Sequence, residues 1–177
     1  MFEVPHMLAG AAIGKIWPRA RYALPAAFLS HLVLDALPHR EVTEIPGLTP
    51  ATRDVLGAVA IVAALALVAI LSWKRPQRWV MLGAAFCAIL PDLLDHVGPK
   101  AYQVWFDRSL LTAWFSHFHS WIQTGSRGYP LVPGLAGQVV VIALALWIIL
   151  RKDASRETRV ASREPHPSLP AQADEPR

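Results

Sequence analysis

Two stretches of this chain commit it to a helical design before any other residue is considered. Residues 55–73 hold one polar side chain, Ser72, and residues 131–150 carry no charge. Each run has the length and composition of a helix that crosses the hydrocarbon of a bilayer, about 20 residues at 1.5 Å per residue. Shorter apolar segments surround them. Residues 4–17 predict a helix of roughly 20 Å that Pro5 opens and Pro18 ends. Residues 22–37 and 79–97 predict two more helices, and 38–54 a loop broken by Pro46, Gly47 and Pro50. Residues 101–123 interleave Trp105, Trp114, Phe115, Phe118 and Trp121 with polar groups, the pattern of an interfacial helix or aromatic belt.

The expectation is an all-α integral membrane bundle of four or five spans with an interfacial aromatic-rich helix. It divides into a membrane-embedded domain, 1–150, and a disordered cytoplasmic tail, 151–177, rich in Ser, Arg, Glu and Pro. The chain is 54% hydrophobic and 17% charged. Its single cysteine, Cys87, excludes a disulfide framework and a cysteine-based zinc site. The net charge of +4 is topology signal and tail rather than a nucleic-acid footprint, since no interleaved basic and aromatic patch accompanies it. The first residues lack a basic run and a small-residue cleavage site, so no signal peptide is expected. Placing Arg151 and Lys152 in the cytoplasm brings Lys74, Arg75 and Arg78, and also Lys15, Arg19 and Arg21, to the same side.

Against this apolar background the buried-looking polar residues stand out. His31 and Asp35 lie at i and i+4 on one helical face, and His39 follows at i+8. Asp92 and His96 repeat the spacing, with Asp95 between them. Imidazoles and carboxylates this far inside apolar runs are costly unless paired or bound to a cation. With the orientation above, these residues, His6, His117 and His119 gather on the outer side. Such ligands suit a divalent metal, Zn²⁺ first and Mn²⁺ or Fe²⁺ next. The competing reading is local: His31 and Asp35 bond each other on one helix, His39 and His96 complement helix ends, and one of His117 and His119 is structural, because residues two apart point different ways.

Pro5-His6-x-x-x-Gly10, Ser30-His31-x-x-x-Asp35, Leu90-Pro91-Asp92 with Asp95, and His119-Ser120 together resemble the bacterial membrane-bound metal-dependent hydrolase family, itself loosely similar to zinc-dependent phospholipase C. In that family the Ser-His-x-x-x-Asp element follows Leu-Pro-Asp; here it precedes it. The resemblance implies metal roles for His6, His31, Asp35, Asp92 and His119, and it implies hydrolysis. Asp95 matches a recurrent acidic position and is the candidate general base or an orienter of the ligands; His39, His96 and His117 are added on geometry, His96 and His117 as ligands. The expected function is metal-dependent hydrolysis of a phosphoester or lipid-like substrate at the outer face of a bacterial inner membrane, with membrane lipids as partners and the C-terminus cytoplasmic. The alternatives are a structural polar cluster without catalysis, or metal-ion handling or transport. A haem held by two histidines would leave the carboxylates without a purpose.

Overall fold

The computed structural model describes residues 3–39, 47–94, 110–126 and 130–152. Among these, all regular structure is helical: α1 (Glu3–Ile16), α2 (Ala20–Asp35), α3 (Pro50–Ser72), α4 (Arg78–Cys87), a short helical stretch over 90–94, α5 (Leu110–Ser126) and α6 (Leu131–Leu150). The proposed tail beyond Lys152 lies outside the described residues, as do Asp95 and His96. Among the described residues, α3 and α6 are the two helices long and apolar enough to cross a membrane.

α1 is the central element, packed against α2, α3, α4 and α6. Its position depends on two glycines one turn apart. A Cβ on Gly14 would lie 2.7 Å from the Met81 Cα, and one on Gly10 would strike the Ala84 carbonyl and come within 2.7 Å of the Ala88 Cβ. The α1 and α4 backbones therefore touch at a surface that only hydrogen can fill, the small-x-x-x-small arrangement favoured between helices that lack a hydrophobic driving force. Other interior stripes are small as well: Ala23 and Ala27 on α2, Ala64 and Val68 on α3, Ala84, Ala85 and Ala88 at α4. Many large apolar side chains point outward, among them Val55, Val59, Val62 and Ile70 on α3 and Val132, Val139 and Leu144 on α6, while Met7, Leu8, Met81, Ile89 and Ile149 are buried between the helices.

Local chemistry sets the helix ends. Pro50 occupies the first turn of α3 and the Thr49 hydroxyl accepts a hydrogen bond from the Thr52 amide (3.2 Å), so the helix begins five residues before the apolar run does. α2 closes at Asp35 because Pro38 disfavours helical geometry at the residue before it; the Leu37 amide turns back to the Leu34 carbonyl. The helix expected over 79–97 is interrupted at Ala88 and Ile89. Pro91 has no amide proton for the Cys87 carbonyl, and the Ile89 amide bonds the Phe86 carbonyl in a tighter turn.

One end of the bundle is tied by basic residues. Lys15, almost fully buried, donates from Nζ to the carbonyls of Ile148 (2.8 Å), Ile149 (3.2 Å) and Arg151. Arg75 donates to the Ile149 carbonyl as well. The Ile148 and Ile149 carbonyls are among the last of α6, which have no partner within their own helix and sit at its negative dipole end, and Arg151 is the residue that caps it. Arg78 lies over the Trp73 and Trp79 rings and Arg151 over Trp147 at the same end. His6 is nine residues before Lys15 on α1, so the histidine end and this basic end are about 14 Å apart along the helix axis.

Candidate metal centre

The buried stripe of α2 reads Ala23, Ala27, His31, Asp35, one residue per turn. Its first half lets neighbouring helices approach, and its second half presents an imidazole and a carboxylate to them. The interruption after α4 swings the following stretch so that Asp92 faces the same point. α5 crosses α2 through Phe115 against Phe28, with ring centroids 5.7 Å apart, and delivers His119 one turn later. Ser30, neighbour of His31, takes no part: its hydroxyl donates to the Ala27 carbonyl of its own helix (2.7 Å).

His31, Asp35, Asp92 and His119 each offer one atom to a group in which all four lie within 4.8 Å of one another. His31 Nε2 is 3.0 Å from Asp35 Oδ2, 3.0 Å from His119 Nε2 and 3.4 Å from Asp92 Oδ1. His119 Nε2 is 3.1 Å from Asp35 Oδ2 and 3.6 Å from Asp92 Oδ1. Ligands about 2.0–2.2 Å from one tetrahedral ion are separated by about 3.3–3.6 Å. Two of the five separations, 3.4 and 3.6 Å, fall in that range, and the other three, at 3.0–3.1 Å, are shorter. Two imidazoles and two carboxylates that converge this closely could hold a metal ion.

The orientation of His31 supports the same reading. Its Nδ1 donates to the Ala88 carbonyl at 2.7 Å, which leaves the Nε2 lone pair directed into the group. In a continuous helix the Ala88 carbonyl would accept from the Asp92 amide; the interruption frees it for the imidazole. Two imidazole Nε2 atoms at 3.0 Å also require a proton or a cation between them. The surroundings are dry: His31, Asp35 and His119 are fully buried and Asp92 is 16% exposed, which marks its side as the opening.

His6 stands beside the group rather than in it. Its ring stacks on that of His31 with centroids 4.1 Å apart, and its Nε2 lies 3.1 Å from Asp35 Oδ1, the oxygen not directed at the other two histidines. His117 does not join: it is exposed, because two residues of helix turn it about 200° away from His119. His39 is buried past the end of α2, where its Nδ1 meets the Leu37 carbonyl at 2.8 Å. His96 and Asp95, expected as ligand and general base, fall outside the described residues.

Gln123 is the residue that sequence reasoning missed. Its Nε2 is 3.2 Å from Asp92 Oδ1, 3.4 Å from Asp35 Oδ2 and 3.2 Å from His119 Nε2. The amide donates to both carboxylates and holds them against each other. The signal that could have found it is its spacing: Phe115, His119 and Gln123 lie four residues apart, as His31 and Asp35 do.

No protein-family model, no characterised protein and no solved structure matches this chain, so the residues and their geometry carry the functional argument.

Proposed function

We propose that this chain is a multi-pass membrane protein of four or five spans that performs metal-dependent hydrolysis of a phosphoester or lipid-like substrate at the bilayer interface. The observation that carries the reading is the four-atom group in which two histidines and two carboxylates converge at separations of 3.0–3.6 Å. Its resemblance in short motifs to the membrane-bound metal-dependent hydrolases is the second support. A divalent ion bound there, zinc by donor set, supplies Lewis-acid polarisation of a phosphoryl or carbonyl oxygen and a water acidic enough to ionise near neutral pH.

The chain's own groups have separable tasks. His31, Asp35, Asp92 and His119 bind and fix geometry. Gln123 orients the carboxylates. Burial of His31, Asp35 and His119 excludes bulk water, while partly exposed Asp92 faces the route of entry. Asp95, three residues beyond Asp92, is assigned as the proton acceptor. The aromatic residues of α5 fit an interfacial position. Trp114 stacks on Phe118 at 5.5 Å and Phe118 on Trp121 at 6.2 Å, with both tryptophans exposed, a ladder suited to the headgroup layer that would place the site at lipid-headgroup depth.

The test is turnover of a chromogenic phosphodiester by detergent-purified protein, with the metal content of the same sample measured. The expected result is bound metal and hydrolysis, both lost in His31→Ala. Bound metal without turnover of phosphodiester or lipid phosphoester would replace hydrolysis with metal-ion handling. Absence of metal in wild-type protein supplied with zinc and manganese would leave only a structural polar cluster.

A further inference from the structure

His6 poses a problem that the four-ligand group does not solve. It is fully buried, and neither Nδ1 nor Nε2 makes a hydrogen bond. A buried imidazole with both nitrogens unsatisfied forgoes the solvation it had in water and gains no hydrogen bond in return. Yet its Nε2 is only 3.1 Å from Asp35 Oδ1. The two atoms are close without being aligned on each other. That is the relation between two ligands of one ion, which converge on a third point.

Asp35 is placed to serve both sides. Oδ2 lies 3.0 and 3.1 Å from the His31 and His119 nitrogens, while Oδ1 turns to His6. The stacking of His6 on His31 sets the two imidazoles side by side rather than edge to edge, so their Nε2 atoms serve neighbouring positions. We propose that the chain binds a second divalent cation between His6 Nε2 and Asp35 Oδ1, with Asp35 as the carboxylate bridge of a two-metal centre. Two atoms 3.1 Å apart, each about 2.1 Å from one ion, subtend about 95° there, an angle suited to five or six ligands. The positions left over are open to water or substrate oxygens. In two-metal sites the ions lie about 3.5–4 Å apart, the spacing at which a pair would hold the attacking and leaving oxygens of an in-line phosphoryl displacement. This inference rests on the metal-centre reading, and of the substrates proposed there it suits a phosphoester.

Metal stoichiometry separates the two statements. Wild-type protein equilibrated with Mn²⁺ in detergent and freed of excess should carry two ions per chain by elemental analysis. His6→Gln, which keeps most of the side-chain volume, should carry one. The wild type should also give the electron paramagnetic resonance signal of an exchange-coupled manganese pair, and His6→Gln that of an isolated ion. One ion per chain and an isolated-ion spectrum in the wild type overturn the second site and leave the four-ligand centre standing. No ion in the wild type overturns both. The wild-type spectrum decides the matter even if the variant does not fold.

Discussion

At the scale of single residues, the site rests on what each side chain does with its second polar atom. His31 spends Nδ1 on the Ala88 carbonyl, so its tautomer is fixed before any ligand arrives. Gln123 spends its amide on the two carboxylates and His119. Outer-shell partners of this kind typically contribute 10–100-fold to metal affinity. Gln123→Ala should therefore weaken metal binding by about 10–100-fold in a competition titration with a chromophoric chelator, whereas His117→Ala should leave it unchanged. Equal losses in the two variants would show that α5 presents a different face to the site. The contrast between these residues also shows what a sequence can disclose. His31 and Asp35 were legible because a charged or imidazole group inside an apolar run needs an explanation. Gln123 was not, because a neutral amide in an aromatic segment needs none until its neighbours are known.

At the scale of elements, most helices follow from apolar run length, while their ends and interruptions follow from residues that such runs conceal. Thr49 and Pro50 start α3 in a stretch that composition alone assigns to a loop. Pro91 was visible, yet the apolar run on either side of Ala88 and Ile89 reads as continuous, and the interruption that turns Asp92 inward went unseen. The α1–α4 contact was half legible: Gly10 appeared only as a neighbour of His6, and its closeness to Ala84 and Ala88 needs three dimensions. Gly14→Ala should destabilise the protein by about 1–3 kcal/mol, since the added methyl meets backbone rather than a movable side chain. Because α1 carries His6 and α4 leads to Asp92, the same variant should lower metal occupancy, measured together with thermal unfolding in detergent. Lys15→Met tests the other end. It keeps the buried stem but removes a charged donor from the α6 carbonyls, and a loss of about 1.5–3 kcal/mol without loss of metal is expected. Loss of metal in that variant would contradict the separation of the two ends.

At the scale of the whole molecule, the two ends divide the work: one fastens α6 with Lys15 and Arg75, the other gathers imidazoles and carboxylates. The interior between them combines alanine and glycine at the helix contacts with larger apolar side chains, Met7, Leu8, Met81 and Ile89 among them, and an unfavourable polar cluster at one end is set against that burial. If the bundle spans a membrane as proposed, reporters fused after Lys74 and after Arg151 should both read cytoplasmic. An external reading at Arg151 would reverse the assignment of the site to the outer face. The same balance makes stability the most direct readout of the site. Asp35 and Asp92 offer carboxylate oxygens within 4.8 Å of each other in a largely buried setting, where two negative charges repel unless a cation or protons intervene. A bound divalent ion removes that conflict only in the folded state, and at free metal near 100 times Kd the gain is about 2.7 kcal/mol if the unfolded chain binds none. A chelator should accordingly lower the melting temperature of the wild type in detergent, and added metal should restore it. His31→Leu with Asp92→Leu should lose that response and melt no lower than the metal-free wild type, because the substitutions take two polar groups out of an apolar setting. A purely structural cluster behaves in the opposite way: removing one partner of each contact leaves the others buried and unpaired, and the double variant melts below a wild type that ignores the chelator. Wild-type protein that contains no metal and melts identically with and without chelator would therefore end the metal-centre reading, and hydrolysis with it.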